Sequence, residues 1–201
     1  MFKYLTCVTA LLLSFFSTGA LAKDFSGFSV FGTLSNQTTT IDFAEGGDNM
    51  GLGATDRAFD IGADYGFAIS SDAVLLVGGT WQISGPELFS FNGTSGLGTA
   101  FKFESDEEWT LFVAPGIKFN DSTLVYGKLS HHSMTIKATG DIVGDEDFDG
   151  LGYGFGVRIA VGEMGFLVLE AMQVDYDTVT ALGANWHPEK TVAAVGFGIT
   201  F

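Results

Sequence analysis

Leu151-Gly152-Tyr153-Gly154-Phe155-Gly156-Val157-Arg158-Ile159-Ala160-Val161 is the stretch that decides the fold. One parity holds Leu151, Tyr153, Phe155, Val157, Ile159 and Val161, and the other holds Gly152, Gly154, Gly156, Arg158 and Ala160. Successive side chains of a strand point to opposite faces, so this segment has one apolar face and one small or charged face. A helix would scatter the same residues around its circumference. The run from Phe59 to Ile69 repeats the pattern. Phe59, Ile61, Ala63, Tyr65, Phe67 and Ile69 alternate with Asp60, Gly62, Asp64, Gly66 and Ala68.

Working outward from these two runs, period two predicts eight strands. Leu75, Val77, Gly79, Trp81 and Ile83 share a face, as do Trp109, Leu111, Val113, Pro115, Ile117 and Phe119. The last run places Ala193, Val195, Phe197, Ile199 and Phe201 together. Weaker alternation lies near 26–35, 123–136 and 166–176. Pro115 cannot donate to a ladder and predicts a bulge. Beyond residue 22 no run of 18 apolar residues occurs, so no transmembrane helix is expected.

The connections alternate in length. Long loops are expected at about 36–56, 85–107, 137–150 and 177–190, and short turns at 70–73, 120–122 and 162–165. The turns carry Ser71-Asp72, Asn120-Asp121 and Gly162-Glu163, residues suited to tight hairpins. Short turns at one end and long loops at the other are the habit of a barrel that crosses a membrane.

The two faces say which side meets oil. The small and polar parity would be a poor solvent coat but lines a narrow lumen well. A Lys or Arg on the lipid face near the midplane would cost roughly 2–4 kcal/mol. Lys118, Lys128 and Arg158 fall on the presumed lumen parity, together with Asp60, Asp64 and Glu170. Opposite charges enclosed together can satisfy one another. Trp81, Trp109, Tyr153, Phe119 and Phe201 fall near strand ends, where amphipathic rings favour the lipid–water boundary.

Composition narrows the partners. The chain has 9 Lys+Arg against 24 Asp+Glu and a net charge of -15, which argues against nucleic acid. A single cysteine, Cys7, excludes an internal disulfide framework. Residues 1–22 read as a cleaved signal peptide. Lys3 supplies the positive start, Val8 to Phe16 the apolar run, and Ala20-Leu21-Ala22 the cleavage site, leaving a barrel domain at 23–201.

Four segments resemble the small bacterial outer-membrane β-barrel family, the OmpA transmembrane-domain and OmpX-like group often described as porin-like. They are Val125-Tyr126-Gly127-Lys128-Leu129, Gly150-Leu151-Gly152-Tyr153-Gly154-Phe155-Gly156-Val157, Phe166-Leu167-Val168-Leu169-Glu170 and Gly196-Phe197-Gly198-Ile199-Thr200-Phe201. The terminal phenylalanine is similar to the last-strand signature of such barrels. The resemblance implies an all-β fold, a closed eight-stranded antiparallel up-and-down transmembrane β-barrel in a Gram-negative outer membrane. It implies no single activity.

Three features bear on chemistry. Asp145-Glu146-Asp147-Phe148-Asp149-Gly150 opens like a calcium loop, with Asp145, Asp147 and Asp149 as candidate metal ligands. The closing Glu would fall at Gly156, inside a strand, so a solvated acidic loop is the plainer reading. His131-His132-Ser133 puts His131 and Ser133 on one parity, a pairing that resembles lipid A deacylase barrels. That chemistry needs a base beside the hydroxyl and an acid to orient the base, and Glu107 and Asp149 are acids close by. The lumen charges could line a pore, but eight strands give a lumen that side chains fill.

The sequence is thus expected to form a structural or surface-interaction barrel, not an enzyme, with no cofactor, displaying four acidic extracellular loops. Its expected partners are outer-membrane lipid, lipopolysaccharide and an extracellular ligand held by the loops, with the barrel itself a monomer. A narrow channel for small solutes or ions is the alternative, and a lipid A-modifying hydrolase using His131 and Ser133 the third reading.

Overall fold

The computed structural model describes residues 25–45, 48–84, 87–91, 101–140, 144–181 and 184–201. The segment read as a signal peptide, and part of the stretch read as the 85–107 loop, lie outside the described residues. The strands are β1 (Gly27–Glu45), β2 (Asp48–Ala68), β3 (Ala73–Ser84), β4 (Glu87–Phe91), β5 (Phe101–Asn120), β6 (Thr123–Gly140), β7 (Gly144–Val161), β8 (Gly165–Tyr176), β9 (Val179–Ala181) and β10 (Ala184–Thr200).

Eight of them are barrel staves, in the order β1-β2-β3-β5-β6-β7-β8-β10 with β10 returning to β1. Every neighbouring pair is antiparallel. The closing seam runs from Ser29↔Thr200 to Ala44↔Asn185. Short β4 pairs with the outer end of β5, and β9 pairs with β10. The expected closed up-and-down barrel is what forms. Inside a bilayer no water is available to unpaired N–H and C=O groups, and a closed sheet leaves none.

The outward parity is the apolar one. Phe59, Phe155 and Phe197 are exposed, Phe119 is 80% exposed, and Tyr65 lies half-buried against the Phe67 ring at 4.7 Å. On β7 the apolar outward residues run from Val161 to Leu151, about 33 Å of strand. At the tilt of such barrels this gives a band of about 25 Å, the height of a lipid-facing belt.

The short turns are where the sequence puts them, at residues 69–72, 121–122 and 162–164. The Ser122 N–H donates to Asn120 Oδ1 at 2.8 Å, and Gly162 takes φ 72°. The long loops differ from expectation. β1 runs on to Glu45 and β2 starts at Asp48, paired as Glu45↔Asp48, so most of 36–56 is strand. Likewise β6 and β7 extend to Gly140 and from Gly144, which takes up most of 137–150. Above the lipid belt the outward face turns polar while the apolar residues, such as Ile41 and Phe148, sit on the inward face, so the outward-apolar alternation that marks strands below disappears from the sequence while the ladder continues. Pro115 also differs. The β5–β6 ladder omits Ala114 and Pro115 but resumes in the same register, Val113↔Leu129 then Gly116↔Tyr126. Proline removes the donor without inserting a residue, so the outcome is a gap and not a bulge. The irregularities of this pair fall between Asp106 and Glu108 and between Lys118 and Asn120.

The lumen is not uniformly small. Phe31, Val74, Leu76, Phe112, Leu124, Tyr126, Phe166 and Val168 form a buried cluster toward the short turns. Ile41, Met134, Ile136, Phe148, Val174 and Tyr176 form another toward the long hairpins. Glycines on facing staves make the room. A Cβ on Gly156 would overlap the Tyr126 ring, and one on Gly62 would overlap Phe31. Gly156→Leu is therefore expected to destabilise the barrel by about 1–3 kcal/mol through overpacking. Gly127→Ala, whose Cβ would meet nothing nearer than Gly154 O at 4.0 Å, should be close to neutral. Urea unfolding in detergent micelles, with the heat-modifiable gel shift as a reading of closure, checks both.

Candidate functional site

Charged pairs are set among the two apolar clusters. Arg158 on β7 reaches across to Asp64 on β2 with both guanidinium nitrogens, Nη1 to Oδ1 at 3.2 Å and Nη2 to Oδ2. The Arg158 guanidinium also packs on the Phe166 ring, 4.6 Å from its centroid. One step toward the outside, Lys128 Nζ donates to Glu170 Oε2 at 2.9 Å and the Tyr126 hydroxyl donates to Glu170 Oε1 at 2.7 Å. Lys128 stands 4.3 Å over the Phe112 ring. Strand tilt explains these partners, because staves far apart in sequence meet across a lumen only a few side chains wide.

A second group sits nearer the long hairpins and centres on Glu108. Its Oε1 accepts from Lys190 Nζ on β10 and, at 3.4 Å, from the Tyr176 hydroxyl. His132 Nδ1 lies 3.4 Å from the same oxygen and 3.0 Å from Thr110 Oγ1, while its Nε2 lies 2.9 Å from Ser130 Oγ. Beside this group Gln37 Nε2 donates to Gln82 Oε1 at 3.1 Å and to Ser35 Oγ at 3.0 Å.

The structure thus joins Asp64 to Arg158 and Lys128 to Glu170. Asp60 faces inward and accepts from Thr33 Oγ1 at 3.4 Å. Lys118 shares the parity but lies at the short-turn rim, where its backbone N–H donates to the Asp72 carbonyl at 2.7 Å. Glu108, His132 and Lys190 are the members the sequence reading left out. Lys190 fell in a stretch taken as loop, and the irregularity between Asp106 and Glu108 hides which of two adjacent glutamates faces inward.

Outside the barrel, Asp145, Asp147 and Asp149 belong to β7, not to a loop, and all three are exposed. Among the described residues, the three-donor group close enough to share one metal ion is made elsewhere, on β8 and β10, and does not include Asp145, Asp147 or Asp149. Their cross-strand partners are Lys137, Thr135 and Ser133. The acidic run is thus solvated, as the plainer reading expects, but it is strand and not loop. His131 is also outward, its Nε2 3.7 Å from Asp149 Oδ1 and its ring 5.5 Å from Trp109. Ser133 is the register partner of Asp149. The acid the sequence could not place is therefore beside His131, but among the described residues no hydrogen bond joins Ser133 Oγ to the imidazole.

A closed barrel with outward grease and inward paired charge has the build of an integral membrane β-barrel. Residues 8–201 match the family model described as outer membrane protein beta-barrel domain, and the chain belongs to that family. No curated protein shows a significant sequence match. Among solved structures the chain is similar to OprG from Pseudomonas aeruginosa, at 14% identity over 87% of this chain and 95% of that one, TM-score 0.51. It is also similar to the attachment invasion locus protein Ail of Yersinia pestis, solved with the heparin analogue sucrose octasulfate (15% identity, 86% and 99% covered, TM-score 0.47). Neisserial surface protein A is a third (17% identity, 88% and 98% covered, TM-score 0.46). The OprG likeness shows the fold and nothing of activity.

Arg158→Leu leaves the Asp64 carboxylate buried without its partner and is expected to cost about 3–5 kcal/mol. The double variant Arg158→Leu with Asp64→Leu should recover most of that loss, because two well-packed apolar side chains can replace such a pair at little cost. A double-mutant cycle by urea unfolding in micelles measures the coupling.

Proposed function

We propose that this barrel is a structural and surface-interaction protein of the outer membrane. Its closed wall holds paired strands above the lipid, and those strands carry the recognition. What supports the reading most is how the lumen is filled. Three buried cations, Lys128, Arg158 and Lys190, are each matched to a carboxylate, and the two apolar clusters pack around them. A solute path would need these pairs to separate and two packed layers to part.

The outer hairpins support the second half of the proposal. From Asn36 to Glu45 the β1–β2 ladder continues about 30 Å along the strand beyond the outward apolar residues. Asp42, Asp56, Asp145, Asp147, Asp149, Asp175 and Glu189 are all exposed at this end. Such a collar attracts basic surfaces and repels anionic ones, and the attraction weakens as salt rises.

Two measurements test this. Planar-bilayer recording of the wild-type barrel should show no discrete conductance steps, and steady single-channel steps would favour the narrow-channel alternative. Cells displaying the triple variant Asp145→Asn, Asp147→Asn, Asp149→Asn should attach more weakly to an immobilised basic protein than cells displaying wild type, with the difference vanishing in high salt. Equal attachment would remove the collar from the proposal.

A further inference from the structure

Three side chains on the outward face of β8 and β10 stand apart from both the lumen and the His131 cluster. Asp175 and Glu189 are register partners, and His187 lies two residues before Glu189 on the same strand and therefore on the same face. His187 Nε2 is 3.3 Å from Asp175 Oδ1 and 3.8 Å from Glu189 Oε1. One donor atom from each of the three lies within 4.8 Å of the others. We propose that Asp175, His187 and Glu189 form a surface site for a divalent first-row transition metal, zinc in particular, on the extracellular side of the barrel.

The spacing is that of ligands sharing one ion. Two ligands about 2.0–2.2 Å from a tetrahedral zinc lie roughly 3.3–3.6 Å apart. The His187–Asp175 separation already has that value, and the His187–Glu189 separation reaches it with a shift of a few tenths of an ångström. Thr178 Oγ1 lies 3.2 Å from His187 Nδ1. With Nδ1 protonated the hydroxyl can accept from it, which leaves the Nε2 lone pair facing the two carboxylates, as outer partners of metal-bound imidazoles do.

The pairing of like charges points the same way. Carboxylates directly opposite one another on a sheet repel, and an exposed His–carboxylate contact gains little by itself. A dication held between them turns the repulsion into attraction. One imidazole with two carboxylates suits zinc, whereas calcium takes six to eight oxygens. The site lies beyond Gln173 and Thr191, which hydrogen-bond at 2.7 Å where the outer wall has turned polar, so it is reached from water. Exposed Asp42, the β1 register partner of His187, puts a further carboxylate on the adjoining stave.

Isothermal titration of the folded barrel in detergent micelles with zinc chloride tests the site, with calcium chloride as the comparison. Wild type should take up one zinc per chain and bind calcium more weakly. His187→Ala should lose zinc affinity at least about tenfold, the loss of one of three ligands. His131→Ala, which removes the other exposed imidazole–carboxylate contact, should bind as wild type does. The heat-modifiable gel shift confirms that each variant is closed, and His187→Gln serves where His187→Ala is not. No saturable zinc uptake by wild type, wild-type affinity in the His187 variant, or an equal loss in His131→Ala overturns the proposal.

Discussion

Backbone amides in a lipid medium have nowhere to turn except to one another, and everything else in this chain follows from that. A helix satisfies them within one segment, but the period-two sequence cannot make an apolar helix. A sheet satisfies them only if its first and last strands meet. The seam between β1 and β10 supplies that meeting over its whole length, from Ser29 to Ala44. Once the sheet is closed, parity sorts the side chains into those that see hydrocarbon and those that see the enclosure.

The enclosure then has its own rules. Charged groups placed there have little water, and the cations find carboxylates on other staves. Arg158 with Asp64, Lys128 with Glu170 and Lys190 with Glu108 do so, and aromatic rings cover the cations from the side. Glycines at Gly62 and Gly156 give the Phe31 and Tyr126 rings their space. The wall and its filling are therefore one packing problem. Large and small residues alternate between facing staves, not only along a single stave.

Much of this was legible because lipid enforces the alternation strictly. Leu151–Val161 and Phe59–Ile69 show their faces without help from other residues, and the lumen parity of Asp60, Asp64, Lys128, Arg158 and Glu170 followed from counting by two. Legibility stopped where the membrane stops. Above the belt a strand has water outside and keeps only scattered apolar residues inside, such as Ile41 and Phe148, so β1 beyond Asn36 and β7 before Leu151 lose the outward-apolar pattern and look like loops. For the same reason Lys190 and His187 went unplaced, and the joining of Asp149 to His131 had to come from the register of β6 against β7. The large lumen residues lay on a parity that was readable from Lys128, two positions from Tyr126 and four from Leu124. Only the glycine-rich strands suggested that the filling would be small.

The seam also sets a temporal order. Phe201 N–H bonds to the Phe28 carbonyl, and Ser29 Oγ to Thr200 Oγ1 across 171 residues of chain. No shorter length of polypeptide contains both halves of these contacts. A chain emerging from its start therefore keeps two raw edges until its final residues arrive, and contacts so distant in sequence form slowly. Until β10 meets β1 the sheet is exposed to edge-to-edge sticking along both open edges.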